Sequence, residues 1–154
     1  MAGEELTPAQ VLALVPQQAP FRFIDEIVEL DDDHVVSRYR FRHDEFFYAG
    51  HFPSDPITPG VVLIETIAQG GVVALGLYLM AKSVSRAELA QYKTLFTSAE
   101  AEFHSIVRPG ERVIVEARKQ YMRRGKLQVS AKLHHEGGAL ACSGTFAGMI
   151  VRPR

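Results

Sequence analysis

The sequence is poor in several features that mark particular classes of protein. Cys142 is its one cysteine, so no disulfide can form within the chain. Seventeen basic and eighteen acidic side chains leave a formal net charge of −1, which gives no reason to expect nucleic acid or an anionic membrane as a partner. Low-complexity tracts and internal repeats are also missing. These absences favour a single globular domain over residues 1–154.

Neither a targeting signal nor a membrane anchor is predicted. The opening letters MAGEELTP lack the basic and then apolar profile of a signal peptide, so we expect a cytoplasmic protein. The apolar run from Val61 to Ala81 is long enough to cross a bilayer. It carries the ionisable Glu65 near its start and three glycines, however, and no second such run follows. A buried helix that is apolar all round is the better prediction.

The pattern of apolar residues predicts a mixture of helix and strand. A short helix is expected to begin at Pro8 and to end by Pro16. Residues 21–30 and 35–42 flank the turn DDDH and predict a two-stranded hairpin. A long helix is expected to begin near Pro59. Four further strands are expected near residues 92–107, 111–123, 126–136 and 139–151. This order predicts an α+β protein of the hot dog fold, an antiparallel sheet wrapped around one long central helix.

Strict alternation predicts the buried face of two strands. Between Lys126 and Leu133, apolar residues at odd positions alternate with polar residues at even positions. The second strand of the hairpin, residues 35–42, has an arginine at three of its four even positions. We therefore expect odd-numbered residues to face the core in both strands.

The stretch GHFPSDPITPGVVLIETIAQGG, residues 50–71, places one histidine and one glutamate among prolines, glycines and aliphatic side chains. Glu65 falls in the second turn of the predicted helix and Gln69 one turn later, so the Gln69 amide can hydrogen-bond the carboxyl. Val72 and Gly76 are predicted to follow on the same face. Burial raises the pKa of a carboxyl, whereas a helix N-terminus lowers it. We expect burial to dominate, which would make Glu65 a proton donor near neutral pH.

His51 suits the complementary role of a base. An imidazole takes up and releases a proton near neutral pH, and three nearby prolines stiffen the loop that holds it. Free N–H groups at the head of the helix, that of Gly60 the least obstructed, can stabilise an oxyanion, although Gly60 also suits a tight turn. A base, an acid and an oxyanion site beside an apolar cavity indicate removal of a proton α to a thioester carbonyl and loss of a β-hydroxyl as water. That reaction requires no metal or organic cofactor.

These motifs resemble those of the 3-hydroxyacyl-acyl-carrier-protein dehydratases of type II fatty acid synthesis, the FabA/FabZ family. The GHFP, PI, PGV and E-x-x-x-Q motifs of that family are matched in order at 50–53, 56–57, 59–61 and 65–69, and the likeness extends over most of the chain. The resemblance implies that His51 is the catalytic base and Glu65 the catalytic acid. It also implies that the Gly60 N–H binds the thioester oxygen, and we expect Gln69 in the same substrate-binding site.

The resemblance has further implications for the substrate and the assembly. A glutamate rather than an aspartate at position 65 is similar to the FabZ branch, which dehydrates without efficient isomerisation. The implied substrate is a (3R)-hydroxyacyl group on the phosphopantetheine of acyl carrier protein, and the implied product is a trans-2-enoyl thioester. A homodimer with shared active sites is implied, with His51 from one subunit and Glu65 from its partner. A trimer of dimers stays open.

Three departures from the family pattern affect specificity. Gln17 and Gln18 stand where the family usually has a histidine-arginine pair, and Ser54 replaces a usual glycine. The segment HSIV at 104–107 stands where basic residues are common. Carrier-protein docking and acyl chain length therefore stay open, as does the choice between fatty acid synthesis and a specialised acyl or polyketide-like pathway.

Some residues outside the central stretch are weaker candidates. Tyr92 and Phe96 are candidates to gate the acyl tunnel, although core packing explains them equally well. Arg123, Arg124 and Lys126 belong to a basic run that could receive the acidic carrier protein, with a solvated hairpin end as the alternative.

No metal site is predicted, because the adjacent His134 and His135 point to opposite faces of a strand. Two other functions stay open. One is a hot dog acyl thioesterase in which Glu65 activates water, and the other is a non-catalytic acyl-binding partner subunit. The presence of both proton-transfer residues argues against the second.

Overall fold

The computed structural model describes residues 3–152 and Arg154. Its strands are β1 (Glu26–Leu30), β2 (His34–Arg40), β3 (Lys93–Phe103), β4 (Arg112–Arg123), β5 (Lys126–His135) and β6 (Leu140–Val151). They form one antiparallel sheet in the order β1-β2-β4-β5-β6-β3. One short helix (Pro8–Leu14) precedes the sheet, the central helix (Gly60–Met80) connects β2 to β3, and a single helical turn (Arg86–Leu89) leads into β3.

The central helix forms the middle of the hydrophobic core. It packs against β2, β4, β5 and β6, and 78% of its most apolar stretch of 18 residues is buried inside the protein. The helix is long and apolar enough to cross a membrane. In this fold the sheet instead buries the apolar surface of the helix on several sides. This arrangement confirms the predicted α+β class and the hot dog fold.

The buried faces of β2 and β5 agree with the alternation in the sequence. In β5 the side chains of the odd-numbered residues from Leu127 to Leu133 are buried, and those between them are not. In β2 the buried residues are Val35, Ser37 and Tyr39. Because successive side chains of a strand point to opposite faces, these residues all contact the core beneath the sheet.

The centre of the long helix differs from a regular α-helix. Residues Ala68–Val73 are π-helical, which the sequence pattern does not predict. Here the helix approaches β2 so closely that a methyl group on Gly70 would lie 2.2 Å from the Ser37 hydroxyl oxygen. That hydroxyl donates a hydrogen bond of 3.0 Å to the Gly70 carbonyl. The Ser37 hydroxyl thus contacts the helix within its π-helical segment.

Three other details differ from the expectations. Strand β1 begins at Glu26 rather than near residue 21, because the backbone of residues 21–23 bonds to a side chain of the central helix. The turn Arg86–Leu89, capped by Ser85, is an additional helix. Strand β3 lies at the edge of the sheet beside β6, so only one of its two backbone edges is paired.

Candidate active site

His51 lies in a loop that the backbone fixes at several points. Its Nδ1 is 3.0 Å from the carbonyl oxygen of Ile57, and the Ile57 N–H donates to the His51 carbonyl at 2.9 Å. The next residue, Thr58, bonds the Tyr48 hydroxyl at 2.6 Å and donates its N–H to the Val107 carbonyl at 2.8 Å. These contacts tie the proline-rich loop to the rest of the domain.

The contact with Ile57 also determines the tautomer of His51. A carbonyl oxygen only accepts hydrogen bonds, so Nδ1 carries the proton and donates it. The other nitrogen, Nε2, then has a free lone pair. The imidazole is half-buried, and the Phe52 ring stacks on it with centroids 4.3 Å apart. This geometry suits a base that accepts a proton at Nε2.

Glu65 lies on the first α-helical part of the central helix and is half-buried. Its Oε2 accepts a hydrogen bond of 2.7 Å from Nε2 of Gln69, as the spacing of four residues predicts. Burial raises the pKa of the Glu65 carboxyl above its usual range, and the bond from Gln69 opposes this with a smaller effect. The direction agrees with the expectation that burial dominates.

Gln69 is completely buried and makes more contacts than its position in the sequence suggests. Its Oε1 accepts the Phe23 N–H at 2.6 Å, and its Nε2 donates to the Phe21 carbonyl at 3.0 Å as well as to Glu65. Both N–H groups of the amide are therefore used within the protein, and neither remains for a substrate oxygen. The link between Gln69 and residues 21–23 has no signal in the sequence, because it joins segments far apart in the chain.

Gly60 is the first residue of the central helix, directly after Pro59. Within the described residues its backbone N–H has no hydrogen-bond acceptor, as expected for the first position of a helix. The Phe103 side chain of β3 lies close by, since a methyl group on Gly60 would come within 3.0 Å of that ring. An N–H in this position can donate to a bound anion or carbonyl oxygen.

Glu65 faces an apolar cavity of about 70 Å³ between the central helix and the strands β3, β5 and β6. Three of the lining side chains are polar, those of Gln17, Glu65 and Thr94. The other lining residues are Ala68, Val72, Val73, Leu95, Phe96, Leu127, Gly148, Met149 and Ile150. Such walls are chemically compatible with a hydrocarbon group, and the polar side chains can orient a ligand.

His51 does not line this cavity. Within a single described chain, the predicted base and the predicted acid therefore do not line one common cavity. Phe96 does line the cavity and is 43% exposed. Tyr92 does not line it, but packs against the core with the Arg152 guanidinium over its ring.

The basic residues lie at the turn between β4 and β5. Arg123 and Arg124 are exposed, and Lys126 is half-buried. The turn has left-handed backbone at Arg124 (φ 50°) and Gly125 (φ 80°), the geometry of a tight hairpin. Leu127, the residue after Lys126, lines the cavity, so the basic turn lies near one end of it.

His134 and His135 contact different carboxylates, as their alternation on β5 predicts. His134 Nε2 is 3.8 Å from Glu116, whereas His135 Nδ1 is 3.3 Å from Glu111. Among the residues that the structure describes, no group of three histidine, cysteine, aspartate or glutamate side chains is arranged to hold a metal ion.

A protein-family model described as "FabA-like domain" matches residues 15–140. The chain is 36% identical to a 3-hydroxyacyl-[acyl-carrier-protein] dehydratase FabZ from Chloroflexus aggregans, over 96% of this chain and 98% of the relative.

Solved structures have the same fold at low sequence identity. The dehydratase heterocomplex ApeI:P from Xenorhabdus doucetiae superposes with a TM-score of 0.73 at 14% identity, over 97% of this chain and 93% of that one. A thioesterase from Haemophilus influenzae superposes with a TM-score of 0.67 at 16% identity, over 98% and 94%. These solved structures share the fold of this chain, whereas the sequence matches identify its family. Together with the histidine, glycine and glutamate of residues 50–71, the sequence matches show that the chain belongs to the FabA-like family.

Proposed function

We propose that this chain dehydrates (3R)-hydroxyacyl thioesters carried by acyl carrier protein to trans-2-enoyl thioesters. The observation that carries the proposal is a pair of side chains, one suited to accept a proton and the other to donate one. His51 has its proton held on Nδ1 by Ile57, and Glu65 is a buried carboxyl with a raised pKa. Membership of the FabA-like family and the likeness to the FabZ relative support the same reaction.

Each residue has a distinct role in the proposed reaction. His51 Nε2 removes a proton from the carbon next to the thioester carbonyl, and the Gly60 N–H stabilises the negative charge that develops on the carbonyl oxygen. The electrons of the broken C–H bond form the C=C bond as the β-carbon loses its hydroxyl. Glu65 donates a proton to that hydroxyl, which leaves as water. Gln69 acts as a positioning residue, since its amide holds Glu65 and no N–H is left for the substrate.

The active site is proposed to form between two copies of the chain. His51 is not among the residues that line the Glu65 cavity, which supports a second subunit as the source of the base. Strand β3 offers a suitable contact, because one of its edges is unpaired and most of its residues on both faces are exposed. Three of them, Leu95, Phe96 and Phe103, are large and apolar. An exposed apolar edge of this length favours pairing with another strand.

The acyl carrier protein is proposed to approach at the turn between β4 and β5. Arg123 and Arg124 can attract an acidic partner, and the turn lies next to the cavity lined by Leu127. The phosphopantetheine arm belongs to the carrier protein, so the enzyme needs no cofactor of its own. A cytoplasmic location and a gating role of Tyr92 or Phe96 stay predictions.

Turnover of a hydroxyacyl thioester tests the proposed reaction. The purified protein is given (3R)-hydroxyacyl carrier protein or its N-acetylcysteamine analogue, and formation of the enoyl product is followed by absorbance and mass spectrometry. We expect His51→Ala and Glu65→Gln each to reduce kcat by about 100- to 10,000-fold. The control variants His34→Ala and Glu136→Gln should keep the activity of the wild type.

The same assay separates the other two functions. Release of free thiol without enoyl product would instead assign a thioesterase, the activity named for the neighbour from Haemophilus influenzae. Tight binding of the carrier protein without turnover of either kind would assign a non-catalytic partner subunit. Wild-type activity in both His51→Ala and Glu65→Gln would refute the roles given to these residues.

A further inference from the structure

Two buried hydroxyl groups face each other at the base of the loop that carries His51. The Tyr48 hydroxyl oxygen lies 2.6 Å from Thr58 Oγ1, and the two residues are 4% and 5% exposed. Tyr48 precedes residues 49–57 and Thr58 follows them, so this hydrogen bond joins the two ends of the loop. Burial raises the pKa of Tyr48 to about 12, so its hydroxyl keeps its proton at neutral pH.

A polar pair is not the simplest way to fill this buried place. Two buried hydroxyl groups must pair or leave hydrogen-bonding capacity unsatisfied, whereas a phenylalanine and a valine would carry no such cost. The Tyr48 ring already packs on Phe47 with centroids 4.7 Å apart, and it belongs to the main hydrophobic cluster. The hydroxyl therefore adds direction to a contact that the ring makes in any case, because a hydrogen bond depends on distance and angle more sharply than apolar packing does.

The Thr58 end of this bond leads directly to His51. The Ile57 carbonyl and the Thr58 N–H belong to one planar trans peptide group, so they point in opposite directions and turn together. The Thr58 N–H donates to the Val107 carbonyl at 2.8 Å. The Ile57 carbonyl oxygen is 3.0 Å from Nδ1 of His51. With the Thr58 side chain held by Tyr48, the peptide group has little freedom to rotate, and the acceptor for Nδ1 stays in place.

We propose that Tyr48 is a positioning residue for His51. Its bond to Thr58 holds the peptide group whose carbonyl keeps the imidazole proton on Nδ1, and this leaves Nε2 free to accept a proton. The role rests on the proposed dehydratase function, whereas the tautomer itself is a property of the folded chain. Without the Tyr48 hydroxyl, the Ile57 carbonyl can turn away, and part of the His51 population then carries its proton on Nε2, where the ring cannot act as the base.

The kinetics of variants that remove the bond test this role. Tyr48→Phe and Thr58→Val should each lower kcat about tenfold with little change in KM, because the substrate still binds while the base is held correctly in fewer molecules. The double variant should be no slower than either single variant, since both substitutions act through the same bond. Thr58→Ser keeps a hydroxyl at this position and should keep most of the wild-type kcat.

Tyr78→Phe is the matched control. Tyr78 is also buried and its hydroxyl donates to Glu5 at 3.0 Å, but it lies near the opposite end of the central helix from Gly60. We expect this variant to keep the kcat of the wild type. An equal loss of kcat in Tyr78→Phe and Tyr48→Phe would overturn the role of Tyr48, because a general loss of packing would then explain both.

The tautomer of His51 can be measured without turnover. Long-range proton–nitrogen NMR spectra distinguish a protonated from an unprotonated ring nitrogen, and His51→Ala identifies the signals of this residue. At a pH where the imidazole is neutral, the wild type should carry the proton on Nδ1, and so should Thr58→Ser and Tyr78→Phe. In Tyr48→Phe and Thr58→Val the Nδ1 and Nε2 signals should move towards each other, as expected for a mixture of tautomers.

The spectra and the kinetics separate this role from the dehydratase function. An unchanged Nδ1–H tautomer in both Tyr48→Phe and Thr58→Val overturns the positioning role, whatever the activity of the variants. Wild-type kcat in both variants overturns it as well. Mixed tautomers in the variants of a protein that dehydrates no substrate would support the effect of Tyr48 on His51 and refute the dehydratase function alone. Because the two substitutions remove the same bond, either one suffices if the other does not fold.

Discussion

At the level of single residues, the proposed acid, Glu65, is held in an environment that disfavours its charge. Glu65 is half-buried beside aliphatic residues, and its carboxyl accepts a hydrogen bond from a neutral amide, that of Gln69. Burial is the larger of the two effects on its pKa, and it raises the value. The folded protein therefore binds a proton at Glu65 more readily than the unfolded chain does.

This difference predicts how stability depends on pH. The folded state loses stability as the pH rises above the unfolded pKa of a glutamate and towards the raised value, since the charge must then be accommodated in a buried place. Glu65→Gln removes the charge and should raise the free energy of unfolding at pH 7.5 by about 0.5 to 1 kcal/mol after allowance for solvent screening. The gain should disappear near pH 4, where the carboxyl is protonated in both states. Urea unfolding at the two pH values measures it.

An exposed carboxyl provides the comparison for this measurement. Glu136→Gln removes the same charge from the surface, where Glu136 pairs with Arg112 at 3.4 Å. It should show no gain at pH 7.5. A Glu65→Gln variant that is less stable than the wild type at pH 7.5, and equally so at pH 4, would contradict the assignment of a costly buried charge.

The role of Gln69 as a positioning residue leads to a second prediction. Gln69→Met removes the bond to Glu65, so kcat should fall by about 10- to 100-fold with little change in KM. The same bond lowers the pKa of Glu65, so its loss raises that pKa further. The high-pH limb of the kcat profile should then move to higher pH, because Glu65 stays protonated longer. A lower kcat with an unmoved limb would mean that Gln69 acts only on the fold.

At the level of elements, the contact between the central helix and β2 depends on the absence of a side chain at Gly70. The Ser37 hydroxyl occupies the space where a methyl group would lie. The same hydroxyl donates a hydrogen bond to the Gly70 carbonyl within the π-helical segment. The bulge and the close approach thus occur at the same place in the helix.

Gly70→Ala should therefore be more damaging than a glycine substitution elsewhere. We expect it to lower the free energy of unfolding by about 2 kcal/mol, because the helix must move away from β2 or lose the Ser37 bond. Gly137→Ala is the matched control, since nothing lies within 4 Å of a methyl group there, and it should stay within about 0.5 kcal/mol of the wild type. Equal thermal and urea stability of the two variants would contradict the close contact.

The helices and strands could be predicted where a local pattern decides them. The alternation in β5 and the long apolar run predict a buried strand face and a core helix, and both are found. The pairing of Glu65 with Gln69 follows from helical spacing alone. By contrast, the π-helical segment contacts Ser37 of β2, and the residues before β1 bond to Gln69. Such features require contacts between distant segments, which a local pattern does not contain.

At the level of the whole molecule, the separation of His51 from the Glu65 cavity predicts complementation between inactive subunits. Mixed dimers of His51→Ala and Glu65→Gln chains contain one site with both substitutions and one site with neither. Random assortment makes half of the dimers mixed, so the mixture should recover about a quarter of wild-type activity. Co-expression with two affinity tags and the enoyl assay measures this. No recovery in isolated mixed dimers would place the base and the acid of each site in one chain.

The basic turn leads to a prediction about the carrier protein. Arg124→Glu should raise KM several-fold for substrates on the carrier protein, and leave kcat/KM unchanged for N-acetylcysteamine thioesters, which lack the acidic partner. Arg118→Glu makes the same charge change at an exposed site on β4 outside the turn and should have little effect. Equal effects of both variants on both kinds of substrate would exclude docking at this turn.

The unpaired edge of β3 has a consequence for how specificity can change. Leu95 and Phe96 belong to this edge strand and also line the cavity beside Glu65. A strand that pairs with β3 would therefore also contact one wall of the cavity proposed for the acyl chain. A partner subunit of different sequence would change the shape of this wall, and with it the acyl groups that fit, without any substitution in this chain. Substrate range would then depend on both subunits of the pair.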